Sequence, residues 1–209
     1  MIHTYAVARA PVPVPPVPGI DGEKLRAVGV DDLAAIVSDH AQHPRPTGPR
    51  LVEHERVVQA LLPHGVVPVR YGHTLPERAA LESMLATRAG QLHRLLDRVC
   101  GRLEMGVRIA LPPAGTQMAT TGRAWLLGKL DRQRTAARLV ENLDRALGSL
   151  AVDRKLLAAR DDLRVAYLVE AHRVEEFRGR VGTLPGIPAA EMVCTGPWPA
   201  YSFMMEDQP

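Results

Sequence analysis

The nine residues "LRVAYLVEA" (163–171) constrain the fold most. Read as an extended chain, Val165, Tyr167 and Val169 share one side, and Ala166 and Leu168 share the other. Both faces are apolar, so the strand belongs in the middle of a sheet with cover above and below. That excludes a helical bundle and predicts an α+β body.

The neighbouring segments supply the rest of such a sheet. "LEMGVRIA" (103–110) reads as a strand, and a long helix is predicted over about 121–148, with Leu126, Leu130, Ala137, Val140, Leu143 and Leu147 on one side. "AVDRKLLAA" (151–159) reads as a strand, with a helix as the alternative, and Arg160-Asp161-Asp162 turns the chain into the central strand. "HRVEEFRGRVGTL" (172–184) carries a helical stripe of Val174, Phe177, Val181 and Leu184. "AAEMVCTG" (189–196) closes the set. The order is β-α-β-β-α-β, the ferredoxin-like split βαβ arrangement, with both helices on one face of a four-stranded antiparallel sheet.

The first half follows a reduced version of that plan. "IHTYAVA" (2–8) alternates as a strand. In "APVPVPPVPG" (10–19), five prolines in ten residues forbid a helix where the plan would place its first one. "KLRAVGV" (24–30) and "LAAIVSD" (33–39) form a hairpin about Asp31-Asp32. "LVEHERVVQALL" (51–62) is helical, and "VVPVR" (66–70) is a strand demoted to an edge by Pro68. Thr74-Leu75-Pro76-Glu77 reads as a capping box with Thr74 as N-cap, opening a helix that runs to about Cys100 with Leu81, Met84, Leu85, Leu92, Leu95, Leu96 and Val99 inward and Gly101 beyond its end. Two α+β domains follow, residues 1–100 and 101–209, the second ferredoxin-like.

Composition narrows the function. Three of the 26 basic residues are Lys (Lys24, Lys129, Lys155), so 23 are Arg; yet acidic residues are interspersed and no basic run appears, which argues against a nucleic-acid partner. Cys100 and Cys194 are far apart and lack CxxC spacing, which predicts two buried thiols in a cytoplasmic protein rather than a disulfide. No apolar run reaches membrane-spanning length. Glu53-His54-Glu55 lacks the second His, one helical turn on, that a zinc helix needs, so His54 is expected to be a satisfied, partly buried side chain. His40 and His43 sit in a Pro-rich loop without a carboxylate. Asp31-Asp32 and Asp161-Asp162 fall where turns use Asp. No phosphate loop or nucleophile elbow is present. The reading assigns no catalytic, cofactor-binding or metal-binding residue: not an enzyme, and no cofactor.

One short segment stands apart. "CTGPWPAYSF" (194–203) holds Trp198, Tyr201 and Phe203, three of the chain's eight aromatic residues. They are the candidate partner-binding or tail-packing residues. The expectation is that they fold back after the last strand and seal the second domain's core, with the Tyr201 hydroxyl at the surface. The alternative is an exposed patch that docks a partner.

"GPWPAYSF" (196–203) closely resembles the C-terminal signature of the gas vesicle GvpL/GvpF family, with Ala200 where that signature has proline. "LVEHERVVQAL" followed by "VVPVRYG", "LEMGVRIAL", "GRAWLLGKLDR" (122–132) and "AYLVEAHRVEEFRGRV" are similar to further segments of the family, in order, along nearly the whole chain. The resemblance implies a cytoplasmic accessory protein of gas vesicle formation, associated with the vesicle, without enzymatic activity or cofactor. It implies binding to the small hydrophobic shell protein and to other accessory proteins during nucleation and assembly. A competing reading is a ligand-sensing regulatory domain of ferredoxin-like fold; it wants a Gly-rich turn in residues 111–122, where glycines are only scattered.

Overall fold

The computed structural model describes residues 1–111, 122–159, 162–184 and 192–204. The protein is mixed α+β, with two antiparallel sheets and five α-helices among the described residues. Two compact units emerge. The first comprises Met1–Arg102 together with the described residues from Pro199 onward; the second is Leu103–Trp198.

In the first unit, β1 (Ile2–Arg9) is flanked by β3 (Leu33–Asp39) on one side and by the short β4 (Val67–Pro68) and β5 (Thr74–Leu75) on the other; β2 (Arg26–Val30) forms the far edge beyond β3. The hairpin between β2 and β3 turns on Asp31 and Asp32, and Asp31 takes the left-handed φ of 51° that such a two-residue turn demands. The β1–β3 register slips between Thr4 and Ala6. That bulge puts Tyr5 and Ala6 on one face together with Ala8 and Ile36, against Val57, Val58 and Leu61 of α1 (Gly48–Leu61). Strict alternation does not foresee this. The N-cap of α1 is Thr47, whose hydroxyl accepts from the Arg50 N–H, with Pro49 in the first turn.

The single helix expected to begin at Thr74 is replaced by two, α2 (Arg78–Thr87) and α3 (Ala89–Val99), divided at Arg88. Thr74 is not an N-cap. Its backbone pairs with His3 in β5–β1 and its hydroxyl bonds His43 Nδ1 at 2.9 Å, so strand pairing overrides the capping-box pattern. Glu77 is the N-cap of α2. Gly101 follows α3 with φ 68°, as a residue just past a helix end does. Cys100 is exposed rather than buried; both cysteines are free thiols.

The second unit contains β6 (Arg102–Ala110, its first residue belonging to unit one), α4 (Gly122–Leu147), β7 (Asp153–Ala159), β8 (Asp162–Glu170), α5 (Val174–Gly182) and β9 (Met192–Trp198), with sheet order β7-β8-β6-β9. β8 is interior, as its two apolar faces require. Val165, Tyr167 and Val169 point with Met105, Val107 and Ile109 of β6 into a core closed by Leu143 and Leu147 of α4 and Val174, Phe177 and Val181 of α5. The inward side of α4 differs from expectation: Ala136, Leu143 and Leu147 are buried, while Leu126, Leu130 and Ala137 are exposed. The expected turn at 160–162 and the loop at 112–122 fall largely outside the described residues. β9 runs two residues beyond the expected end, through Pro197 to Trp198, which pairs with Glu104. Gly196 is required within it: φ is 106°, and a Cβ there would lie 2.6 Å from the Glu104 carbonyl oxygen. Arg178 of α5 donates to the Gly196 carbonyl at 2.6 Å.

Candidate functional site

The aromatic tail does not seal the second unit. The chain leaves β9 at Trp198 and enters the first unit, where Tyr201–Phe203 form one 3-10 turn. Phe203 is fully buried and packs its ring 5.7 Å from the Arg98 guanidinium, at the end of α3. Tyr201 packs against the cluster that holds Tyr5 and Ile36, and its hydroxyl donates to Glu55 Oε2 on α1 at 3.2 Å. Burial, then the Glu55 carboxylate, pushes that hydroxyl far above the ordinary tyrosine range, so it remains a donor. Trp198 stays on β9 and is 47% exposed. The three candidates are therefore divided: two anchor the tail in the first unit, and one presents half its surface on the last strand of the second.

The tail reaches α1 on the flank of an open surface. Leu51, Val52, Glu55, Arg56 and Gln59 line an apolar groove of about 500 Å³, and Leu51 and Val52 are exposed. On the opposite, inward face of α1, His54 is buried in a polar cluster. Its Nε2–H donates to the Val69 carbonyl at 2.9 Å, which leaves Nδ1 to accept from His3 Nε2–H at 2.9 Å. Next to it, the Tyr5 hydroxyl accepts from the Ile20 N–H and donates to Ser38 Oγ, and Ser38 donates to His40 Nε2, each at 2.8 Å. Tyr5 and His54 rings stack at 5.2 Å. His3 is completely buried; burial first, then the neighbouring His54, His40, His43 and His73, lower its pKa to about 3. Burial also lowers His54, His40 and His73. All four imidazoles are shifted toward the neutral form, and that form is what lets His54 Nδ1 and His40 Nε2 accept their hydrogen bonds.

This arrangement can hold the first strand, the proline segment and α1 together. Its hydroxyl–imidazole pair, Ser38 with His40, keeps the hydroxyl completely buried. Among the described residues, no three His, Cys, Asp or Glu side chains gather closely enough to hold a metal ion. Asp162, from the sequence's second acidic pair, is engaged by Arg164 and Arg108, and hydrogen bonding from Arg164 first holds its carboxyl below the usual range. Sequence reasoning anticipated a satisfied His54 but missed its partners. His3 reads simply as one residue of an alternating strand, and only the pairing of distant segments brings it to α1.

No described helix is long and apolar enough to cross a membrane. In fold, the chain is similar to the crystal structure of the gas vesicle protein GvpF from Anabaena sp. PCC7120, with a TM-score of 0.84 over 99% of this chain and 97% of that one at 16% identity. The crystal structure of GvpF from Microcystis aeruginosa is similar, with a TM-score of 0.83, 98% and 99% coverage and 16% identity. In sequence, gas vesicle protein F2 of Halobacterium salinarum is 27% identical, over 90% of this chain and 84% of its own length. Gas vesicle protein F1 of the same organism is 24% identical, over 97% and 92%. The profile of the family described as gas vesicle synthesis protein GvpL/GvpF matches residues 1–205, so the chain belongs to that family, and membership supports a role in gas vesicle formation.

Proposed function

We propose that this protein is an accessory factor of gas vesicle assembly that binds the small hydrophobic shell protein and other accessory proteins while the vesicle nucleates and grows. It works as a cytoplasmic, vesicle-associated binding protein without catalysis or cofactor. The observation that carries the reading is the family match over residues 1–205. The exposed apolar face of α1, with Leu51 and Val52 beside its groove, supports it physically: an aggregation-prone apolar chain is held by apolar surface, not by charge. Half-exposed Trp198 is a second anchor of the right kind. Tyr201 and Phe203, in this reading, serve binding indirectly by fixing the tail.

Each unit is read as one domain built on the split βαβ plan, the first lacking the helix after its first strand. Support comes from the strand order: numbered within its own unit, each sheet runs 2-3-1-4, the order that two interleaved βαβ crossovers generate. The proline segment occupies the place of the missing helix. The turn on which a ligand-sensing reading depends lies mostly in residues 112–121, outside those described.

Co-purification with the shell protein tests the function. Wild-type protein is expected to recover it, and the Leu51→Gln/Val52→Gln variant and Trp198→Ala to recover several-fold less while remaining folded. Undiminished recovery by all of these variants would remove α1 and Trp198 from the binding surface. No recovery by wild type would end the shell-protein reading itself.

A further inference from the structure

The α4 helix is built in two halves. Its C-terminal half docks: Ala136, Leu143 and Leu147 are buried against the sheet of the second unit. Its N-terminal half carries Leu126, Leu127 and Leu130 at 51%, 56% and 40% exposure. At 100° per residue these leucines lie about 130° around the axis from the docked face, so they do not belong to an inward stripe that has slipped its partner. Length points the same way. Twenty-six helical residues span about 39 Å, whereas the nine residues of β8 cover about 30 Å, so the helix is longer than the layer it covers.

Charge divides at the same place. Between Gly122 and Arg138 five basic residues (Arg123, Lys129, Arg132, Arg134, Arg138) meet one acidic residue, Asp131. From Leu139 to Leu147, Glu141 and Asp144 outnumber Arg145. Cations in the first turns oppose the helix dipole, so helix stability does not account for them. Arg123 and Arg134 are exposed, and both fall within the angular sector of the leucines, one at each end of the stripe. Eleven residues of helix separate them by about 16 Å. A helix that lies on lipid keeps its cations on the polar face, to the side of its apolar stripe. Here the two arginines lie in the sector of the stripe itself, one at each end, rather than to its side.

We propose that the N-terminal half of α4 is a docking face for an amphipathic helix of another protein, whose apolar stripe is bracketed by two carboxylates about 16 Å, or eleven residues, apart. Leucines at positions i, i+1 and i+4 form a ridge that fits the groove between side-chain rows of a second helix, and bidentate arginine–carboxylate pairs at both ends fix its register. The proposal stands on α4 alone and does not depend on the identity of the shell-binding surface.

Synthetic helical peptides test it on the full chain. One carries Glu at two positions eleven apart with a leucine stripe between; a second replaces both Glu by Lys; a third keeps Glu and replaces the leucines by Ala. The first is expected to bind at least about tenfold more tightly than either of the others, a difference equivalent to about 1.4 kcal/mol, and to weaken with salt. Leu126→Gln/Leu127→Gln is expected to lose that binding with an unchanged melting temperature, since both side chains are exposed. Arg123→Glu/Arg134→Glu is expected to reverse the preference toward the Lys peptide; this reversal keeps the proposal testable if the leucine variant is poorly folded. Equal affinity for the Glu and Lys peptides, or binding indifferent to both sets of variants, would overturn it. So would binding to vesicles of phosphatidylcholine and phosphatidylglycerol without binding to any peptide, or self-association of the wild-type chain that the same variants abolish.

Discussion

The layer beneath α1 in the first unit and the layer beneath α4 and α5 in the second lie on sheets of the same strand order, yet they cohere differently. Beneath α4 and α5 the contacts are almost entirely apolar: Met105, Val107, Ile109, Val165, Val169 and Phe177 fill the space, and the Tyr167 ring meets Phe177 at 5.2 Å. Beneath α1 the space is shared with His3, Ser38 and His54, all buried, and with the Tyr5 hydroxyl. An apolar layer tolerates loose geometry and resists changes of pH. A buried polar layer fixes geometry because each donor must meet its acceptor, and it gives up stability when any group gains a charge. Between β1 and β2 the chain runs through prolines without an α-helix, and the Ile20 N–H, just beyond the prolines, is held by Tyr5 of the polar layer. Directional bonds position a segment that has no ladder of its own.

The largest effect is expected in the apolar layer. Phe177→Ala removes a fully buried ring and should cost about 4 kcal/mol, read from urea unfolding, with hydrogen exchange accelerating in β8 before β1. Equal acceleration in both strands would mean that the units unfold as one, and the comparison would lose its energetic meaning.

Phe203→Ala comes next, at about 3 kcal/mol, toward the lower limit for such a truncation because a terminal turn collapses more easily than a mid-sheet site. Phe203 is fully buried among first-unit elements, so exchange should accelerate in β1 and α3 and not in β8. The opposite pattern would return the tail to the second unit, where the sequence alone places it.

That reversal shows where the sequence is legible. The succession of strands along the chain, β5 excepted, could be read because most strands announce themselves locally, by alternation in 2–8 or by double-sided apolarity in 163–171. Val174, Phe177 and Val181 of α5, and Leu184 just beyond its end, are buried as their spacing predicts. Three things are invisible to spacing. Bulges at Tyr5, at Met105 and at Leu157 shift which residues share a face. Pairing with a distant strand claims Thr74 from the helix it seems to cap. The destination of a tail depends on which apolar surface remains uncovered, and nothing within 194–203 records that Glu55 awaits Tyr201. For the site, family identity was legible in the tail signature, while the His3–His54 bond, joining residues 51 positions apart, was not.

Acid should separate the two layers. His3 titrates near 6.5 when unfolded and near 3 when folded, lowered by burial and by its neighbouring histidines. Above pH 6.5 neither state carries the proton and stability is complete. Between 6.5 and 3 only the unfolded chain binds it, so stability falls as pH falls, by up to about 1.4 kcal/mol per pH unit, or about 2 kcal/mol at pH 5. His54, His40 and His73 shift in the same direction and add to the loss. Exchange measured from pH 7.5 to pH 5 should show β1 and β3 losing protection while β8 keeps it, and His3→Gln should make that loss shallower. A uniform response of both sheets would show that the polar layer does not control the first unit's stability.

The smallest predicted effect decides how tightly the tail joins the polar side. Tyr201→Phe keeps the ring against the cluster that holds Tyr5 and Ile36 and deletes only the hydroxyl that donates to Glu55 at 3.2 Å. A hydrogen bond to a carboxylate contributes about 1.5–3 kcal/mol when well formed, but this one is long, so about 1 kcal/mol is the expected loss. Glu55→Gln preserves an acceptor and should cost less. In a double-mutant cycle the two losses should be sub-additive, because each variant weakens the same bond. Strict additivity would mean that Tyr201 is held by ring packing alone, and the tail would then belong with the apolar contacts that dominate the second unit. Sub-additivity would extend the directional, charge-sensitive bonding of the first unit from its buried histidines to the outer edge of α1, the helix whose exposed face carries the proposed shell-binding groove.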